Sequence, residues 1–303
     1  GRVMDKGHRY TDKQIEALEK RLNRFYRGIS AELMNELSEY LKSHTDQINA
    51  LWERLDNGEK VDIDEFINRE IDDEINTLSN QCVETDQKAM ELVGIAMAQI
   101  FVYNFNAQAK TLNDKTGAFI PFIKKMARRK RLLQPPNPDK MKDRLWHRIK
   151  IRYVVMNGIR HGRSINDISE QLETVTRMDI NAAIRAARTA CTNAENQGKL
   201  DAMFELRDKY GFDVKKMWFA TLDNRTRTSH REVHGEVREL EEEFSNGLQF
   251  PADPDGDPSE VWNCRCTLLD VINEQDIPEA PKGMSRSEWE QQKPKYKHYP
   301  KKR

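Results

Sequence analysis

Four side chains in the last third of the chain carry the clearest chemistry: His230, His234, Cys264 and Cys266. Imidazole nitrogens and thiolates together suit a tetrahedral zinc ion. His230 and His234 are four apart, which places them on one face if their segment is a helix. Cys264 and Cys266 are two apart, which points both the same way if theirs is a strand. Four protein ligands would close the shell and make the zinc structural, with no open position for catalysis. The competing reading is two buried thiols beside a His230 that donates a structural hydrogen bond. The spacing leaves both open, because Cys-x-Cys is not the common Cys-x-x-Cys knuckle.

Around these lie other polar groups. Asp223, Arg225, Thr226 and Arg227 form a polar turn after a strand. We read it as a buried salt bridge and Asx-turn that pins the strand to the Cys-Arg-Cys strand, with Arg265 nearby, in preference to an active-site loop. Asp253-Pro254-Asp255-Gly256-Asp257 has the composition of a calcium loop, but Cys264 stands where such a loop needs its bidentate Glu. It reads as an acidic loop. Lys124, Lys125, Arg128, Arg129, Lys130 and Arg131 fall within eight residues. They suit contact with DNA phosphates; the plainer alternative is a solvated helix end or a patch that faces another protein. There is no Gly-rich phosphate loop, Ser nucleophile elbow or His-Glu-x-x-His. The chain is therefore expected not to be an enzyme.

These groups need elements to hold them. Residues 11–57 predict one long helix with Thr11 as N-cap, an apolar stripe from Ile15 to Leu55 and a stop at Asn57-Gly58. A second helix is expected from Asp62 toward Leu78 and a third over about 85–112, apolar nearly all round. Residues 113–140 break the pattern with Gly117, Pro121 and Pro135-Pro136-Asn137-Pro138. Helices resume over 139–157, then from Ser164, which can cap a short one, and again over 179–209 with a face of small residues. Val214–Thr221 and Thr267–Ile272 read as strands.

The fold class expected is mostly α: an extended helical region over 1–134, a small α+β domain over 139–275, and a basic, Pro-containing tail over 276–303. Only 37% of residues are apolar and 33% are charged, which suits long helices with narrow stripes better than one large globule. Fifty basic and fifty acidic residues cancel, so any attraction to nucleic acid must be local. The four cysteines form no disulfide framework and suit a reducing compartment. No apolar run is long enough to span a membrane and no signal peptide is seen; the chain opens on Gly1 rather than Met, which fits a trimmed start.

Residues 185–272 resemble the phage Mu protein F-like family, the minor head proteins of tailed phages. The resemblance rests on ordered pieces: Arg188-Thr189 with Asn193 to Gly198; Trp218; Asp223-x-Arg225-Thr226-Arg227-x-x-His230; Gly235; Phe250-Pro251-x-Asp253-Pro254; and Asn263-Cys264-Arg265-Cys266. It implies a low-copy structural protein of head assembly, with a part in genome packaging or ejection. The implied partners are the portal, other head proteins and packaged DNA without sequence preference. The implied location is inside or at the portal vertex of the virion, after assembly in the host cytoplasm. The N-terminal helices would be the portal-contacting part. The competing function is an ADP-ribosyltransferase-like toxin, since this family's domain is also found fused to such enzymes.

Overall fold

The computed structural model describes residues 5–126 and 142–272. Among them the chain is mostly helical, with a small antiparallel sheet near the C-terminus. The helices are α1 (Lys6–Ser43), α2 (Thr45–Asp56), α3 (Ile63–Glu70), α4 (Asp72–Thr116), α5 (Arg144–Arg160), α6 (Ile165–Glu170), α7 (Leu172–Tyr210), α8 (Thr228–Glu232) and α9 (Pro258–Val261). The strands are β1 (Lys215–Phe219), β2 (Val237–Arg238) and β3 (Thr267–Val271).

The expected first helix is two. The backbone of His44 leaves helical geometry at φ −110°, ψ 18°, and α2 starts afresh behind it. Helix α1 also begins before Thr11, whose hydroxyl donates to Gly7 O inside the helix, so Thr11 is not its cap. The expected second and third helices divide differently: α3 is short, capped by the Asp62 carboxylate on Glu65 N, and α4 then runs unbroken for 45 residues. Ser79, just past the expected end at Leu78, is buried and returns its hydroxyl to Ile75 O. Ser164 caps α6 through Asp167 N, as its position predicts.

The chain forms two compact units: residues 1–18, 93–135 and 185–303 in one, and residues 19–92 and 136–184 in the other. The second is all helical. Its core joins Leu33, Leu37, Leu41, Ile48 and Leu51 of the apolar stripe to Ile67, Ile71, Ile75 and Leu78, and to Ile151, Val155, Ile159 and Ile168. The stripe therefore has its partner in the same chain. Gly158 is small because α6 comes close: a Cβ there would lie 2.4 Å from Ile168 Cγ1.

The first unit holds the sheet, in the order β2-β1-β3 with both pairings antiparallel. Met217 pairs with Leu269 and with Val237 in a small apolar cluster. Past α4, Gly117 takes φ +72° and the backbone turns. Asn113 and Asn106 then hold it: each side-chain amide both donates to and accepts from one residue, Ile120 and Ile123 respectively. Lys124 and Lys125 follow, exposed. The basic residues Arg128, Arg129, Lys130 and Arg131 lie outside the described residues, as do the Pro-rich segment and the tail.

Candidate functional site

The family-like pieces meet in the first unit, and α7 is the element that gathers them. Its inward face carries amides, a hydroxyl, a carboxylate and an ammonium among small residues. Thr192 Oγ1 donates to Cys264 O at 2.8 Å, and Asn193 Nδ2 to Ala252 O at 2.8 Å. Asn196 Nδ2 donates to Thr192 O at 2.9 Å and reaches Pro251 O and Cys266 O at 3.4 and 3.3 Å. Its Oδ1 accepts Leu268 N at 2.7 Å, at the start of β3. Thr189 Oγ1 accepts Asn263 N at 3.1 Å. The carbonyls of Pro251, Ala252, Cys264 and Cys266 and the N–H of Asn263 thus receive partners from side chains of α7. Ala252 and Asn263 hold φ of 63° and 58°, a left-handed conformation that these external bonds fix.

One turn on, Glu195 is fully buried among cations. His8 Nδ1 lies 3.0 Å from its Oε1, Lys199 Nζ donates at 3.0 Å and Thr267 Oγ1 at 2.5 Å. Burial alone would raise the Glu195 carboxyl, but His8 and Lys199 outweigh it and hold it below the usual carboxylate range. Lys199 also pairs with Asp5. Beyond it, Gly198 faces α4: a Cβ would sit 2.6 Å from Phe101 O. Gly198 was marked by the resemblance; the buried role of Glu195 and Lys199 was not read. The available signal is an i, i+4 Glu–Lys pair among the small residues Ala187, Cys191, Ala194, Gly198 and Ala202.

The Trp218 side chain is fully buried, edge-on to His230 and to Phe244, each at 5.2 Å between centroids. Its backbone accepts Gly235 N at 2.7 Å and donates to Glu236 O; Gly235 itself is at φ 80°. Lys216, two residues earlier on the same face of β1, is buried too, with Nζ on Leu240 O at 2.9 Å and Gln249 O at 2.6 Å. Burial outweighs the nearby acids and lowers its ammonium to about 8. Lys216 is a bracing residue that the sequence reading passed over; its shared face with Trp218 was the clue.

Asp223 and Arg265 form a two-pronged ion pair at 2.6 and 2.7 Å, each about a third exposed rather than buried. Arg265 holds the Asp223 carboxyl below its usual range, and Asp223 also caps the turn through Arg225 N and Thr226 Oγ1. Arg227 reaches Trp262 O and Arg231 reaches Asp223 O. The Asp253 carboxylate is turned inward onto Gln249 N and Asp255 N, an Asx-type loop brace. Pro254 follows it in the turn.

The four expected metal ligands do not converge. His230 Nδ1 lies 3.6 Å from Cys264 Sγ and 3.4 Å from Cys266 Sγ, and all three ligand atoms lie within 4.8 Å of one another. His234 stands apart, because α8 ends at Glu232 and its turn carries residue 234 out of helical register. There His234 Nδ1 accepts Ala220 N at 3.0 Å and its ring packs on Phe219. The two cysteines precede β3 in extended chain, both buried, with Arg265 between them facing out. Burial pushes the Cys264 thiol up, but hydrogen bonds from Cys266 and His230 prevail and leave it at about 5; burial and the Cys264 charge push Cys266 well above its ordinary value.

The other group of metal-type ligands among the described residues is Cys82, His147 and Asp179, in the all-helical unit. There His147 Nε2 is 2.8 Å from Asp179, Nδ1 donates to Asp143 O at 2.7 Å, and Tyr26 donates to Asp86 at 2.5 Å. No helix of the described residues is long and apolar enough to cross a membrane.

Comparison with known proteins bears on the same region. Residues 149–269 match the family model of phage Mu protein F like protein. The chain is 22% identical to minor head protein GP7 of Bacillus phage SPP1 over 308 aligned residues, covering 94% of this chain and 96% of GP7. It is 30% identical over 121 residues to the NAD(+)--arginine ADP-ribosyltransferase EFV of Enterococcus faecalis. It is 31% identical over 149 residues to an uncharacterized protein of Haemophilus influenzae. Those two matches span 25% and 30% of the respective relatives. No solved structure matches. The residues that match this family model, 149–269, contain α7 and the bracing network around Cys264 and Cys266.

Proposed function

We propose that this chain is a minor head protein of a tailed phage, a structural component of head assembly carried in the virion. The observation that carries the reading is the end-to-end match with GP7, which includes the long N-terminal helices as well as the family segment. The site chemistry supports it. The polar side chains of the motif are spent on backbone carbonyls and on each other, which is the work of holding a shape. The finer reading places the protein inside or at the portal vertex, with the portal and other head proteins as partners and with a part in packaging or ejection. The N-terminal helices are the proposed portal-contacting part, and the basic stretch from Lys124 a non-specific DNA or portal contact.

Quantitative mass spectrometry of purified particles tests this. The expected result is this chain present at a copy number no higher than that of the portal subunit, and malformed or empty heads when its gene is deleted. Normal, infectious particles that lack the protein would overturn it. A second reading, an ADP-ribosyl-transferring enzyme, is favoured only by the EFV match, which spans a quarter of that protein. Arginine-dependent release of nicotinamide from NAD+ by the purified chain would establish it; no release above the blank leaves the structural role.

A further inference from the structure

We propose that His230, Cys264 and Cys266 bind a single zinc ion, with Glu260 as the residue that orients His230 and with His234 outside the shell. The nitrogen already has the required spacing from both sulfurs, which themselves lie within 4.8 Å of each other. With Zn–S of about 2.3 Å and Zn–N of about 2.05 Å at a tetrahedral angle, a nitrogen and a sulfur on one ion lie about 3.6 Å apart. The distances here are 3.4 and 3.6 Å. The cluster formed by Cys82, His147 and Asp179 fails the same comparison: a nitrogen and an oxygen on one zinc lie about 3.4 Å apart. Its His147 and Asp179 are 2.8 Å apart, in direct hydrogen bond.

A second, independent feature points to a ligand on His230. Its other ring nitrogen, Nε2, faces Glu260 Oε2 at 3.1 Å, and Ser229 Oγ donates to the same carboxylate oxygen at 2.8 Å. Nε2 is buried and makes no hydrogen bond, with the Glu260 carboxylate beside it at ion-pair distance, while Nδ1 faces the two sulfurs. Trp218 closes the ring's face. Bound, the site would hold two thiolates and a neutral imidazole on a dication, with no net charge, and any proton still on a thiol would leave to solvent. All three ligands are buried. A water would complete the four-coordinate shell. The ion would tie α8 to the segment entering β3 across 34 residues and so fasten the domain, while the water leaves the fourth position exchangeable.

The test uses the full chain, incubated with Zn(II) alone, dialysed and examined by native mass spectrometry and by metal analysis. About one zinc per chain is expected, absent from Cys264→Ser and Cys266→Ser and retained by His234→Gln. Glu260→Gln should keep the metal but weaken its affinity about 10- to 100-fold in competition with a chromophoric chelator. Should the cysteine variants fail to fold, wild type decides: chelation must lower its melting temperature and Zn(II) must restore it. A wild-type chain that takes up no zinc overturns the proposal. So do four freely titrating thiols in the native zinc-treated protein, a Cys264–Cys266 disulfide, or loss of zinc in His234→Gln.

Discussion

Asn196 is the residue on which the bracket around the Cys-Arg-Cys segment most depends, and its replacement gives a graded test. It is fully buried, and its two amide atoms have opposite duties: Oδ1 accepts Leu268 N, while Nδ2 donates to three carbonyls. Asn196→Ala leaves the Leu268 N–H buried without an acceptor, which costs about 1–3 kcal/mol. The carbonyls of Pro251 and Cys266 lose a long, weak contact each, for about 1 kcal/mol more together. The sum is about 2–4 kcal/mol. Asn196→Asp keeps the acceptor for Leu268 but turns a carboxylate oxygen on three carbonyls inside the protein. Lacking a cation, it must be protonated or repelled, so it should cost more than Ala despite its shape. Urea unfolding of the full chain, read together with amide exchange at Leu268, measures both. An Asp variant as stable as wild type, or an Ala variant within about 0.5 kcal/mol of it, would refute the assignment of the amide's two ends and with it the bracing role of α7.

Gly198→Ala places a Cβ 2.6 Å from Phe101 O, where only backbone could yield; a loss of about 1–3 kcal/mol is expected in thermal unfolding. The all-helical unit should lose stability as pH rises. Burial and Asp179 raise Asp86 to about 7, and Asp179 raises His147 although burial opposes it, so the folded state keeps protons that the unfolded chain releases. For Asp86 that stability is lost between the ordinary carboxylate value near 4 and about 7, and for His147 as pH passes above its ordinary 6.5. Melting temperatures across this range should fall, and fall less steeply in Asp86→Asn. A fragment ending at residue 112 should not unfold cooperatively, because it lacks Ile151, Val155 and Ile159, which complete the core of that unit; a sharp calorimetric transition would contradict this. If the basic stretch meets DNA, fluorescence anisotropy should show binding that weakens steeply with salt and is lost when Lys124, Lys125, Arg128, Arg129, Lys130 and Arg131 become Gln; the absence of binding at low salt removes that role.

How much could be read from the residues alone followed their periodicity. The stripe of α1 and α2, the helix start near Asp62, the Ser164 cap, the stop at Asn57-Gly58 and the strands β1 and β3 were visible, because each repeats or ends with a local signal. What stayed hidden depends on partners distant in sequence. Strand β2 is two residues long and exists only through its pairing with Lys216 and Met217. His234 shares a helical face with His230 only while the helix lasts, and α8 stops two residues short of it. The greatest loss was on α7, where Thr192, Asn193, Glu195, Asn196 and Lys199 stand beside the small-residue face without any periodic signal of burial. All are buried. A helix interior is an unfavourable place for Asn and Thr by propensity, and a buried Glu or Lys is costly unless paired. Their clustering on the small-residue face is therefore the mark of a helix whose partner is irregular backbone. The segments from Pro251 to Asp253 and from Asn263 to Cys266 lack regular ladders of their own. They are folded by being hydrogen-bonded to α7, which explains why the resemblance pairs a helical piece with turn pieces some 55–75 residues further on.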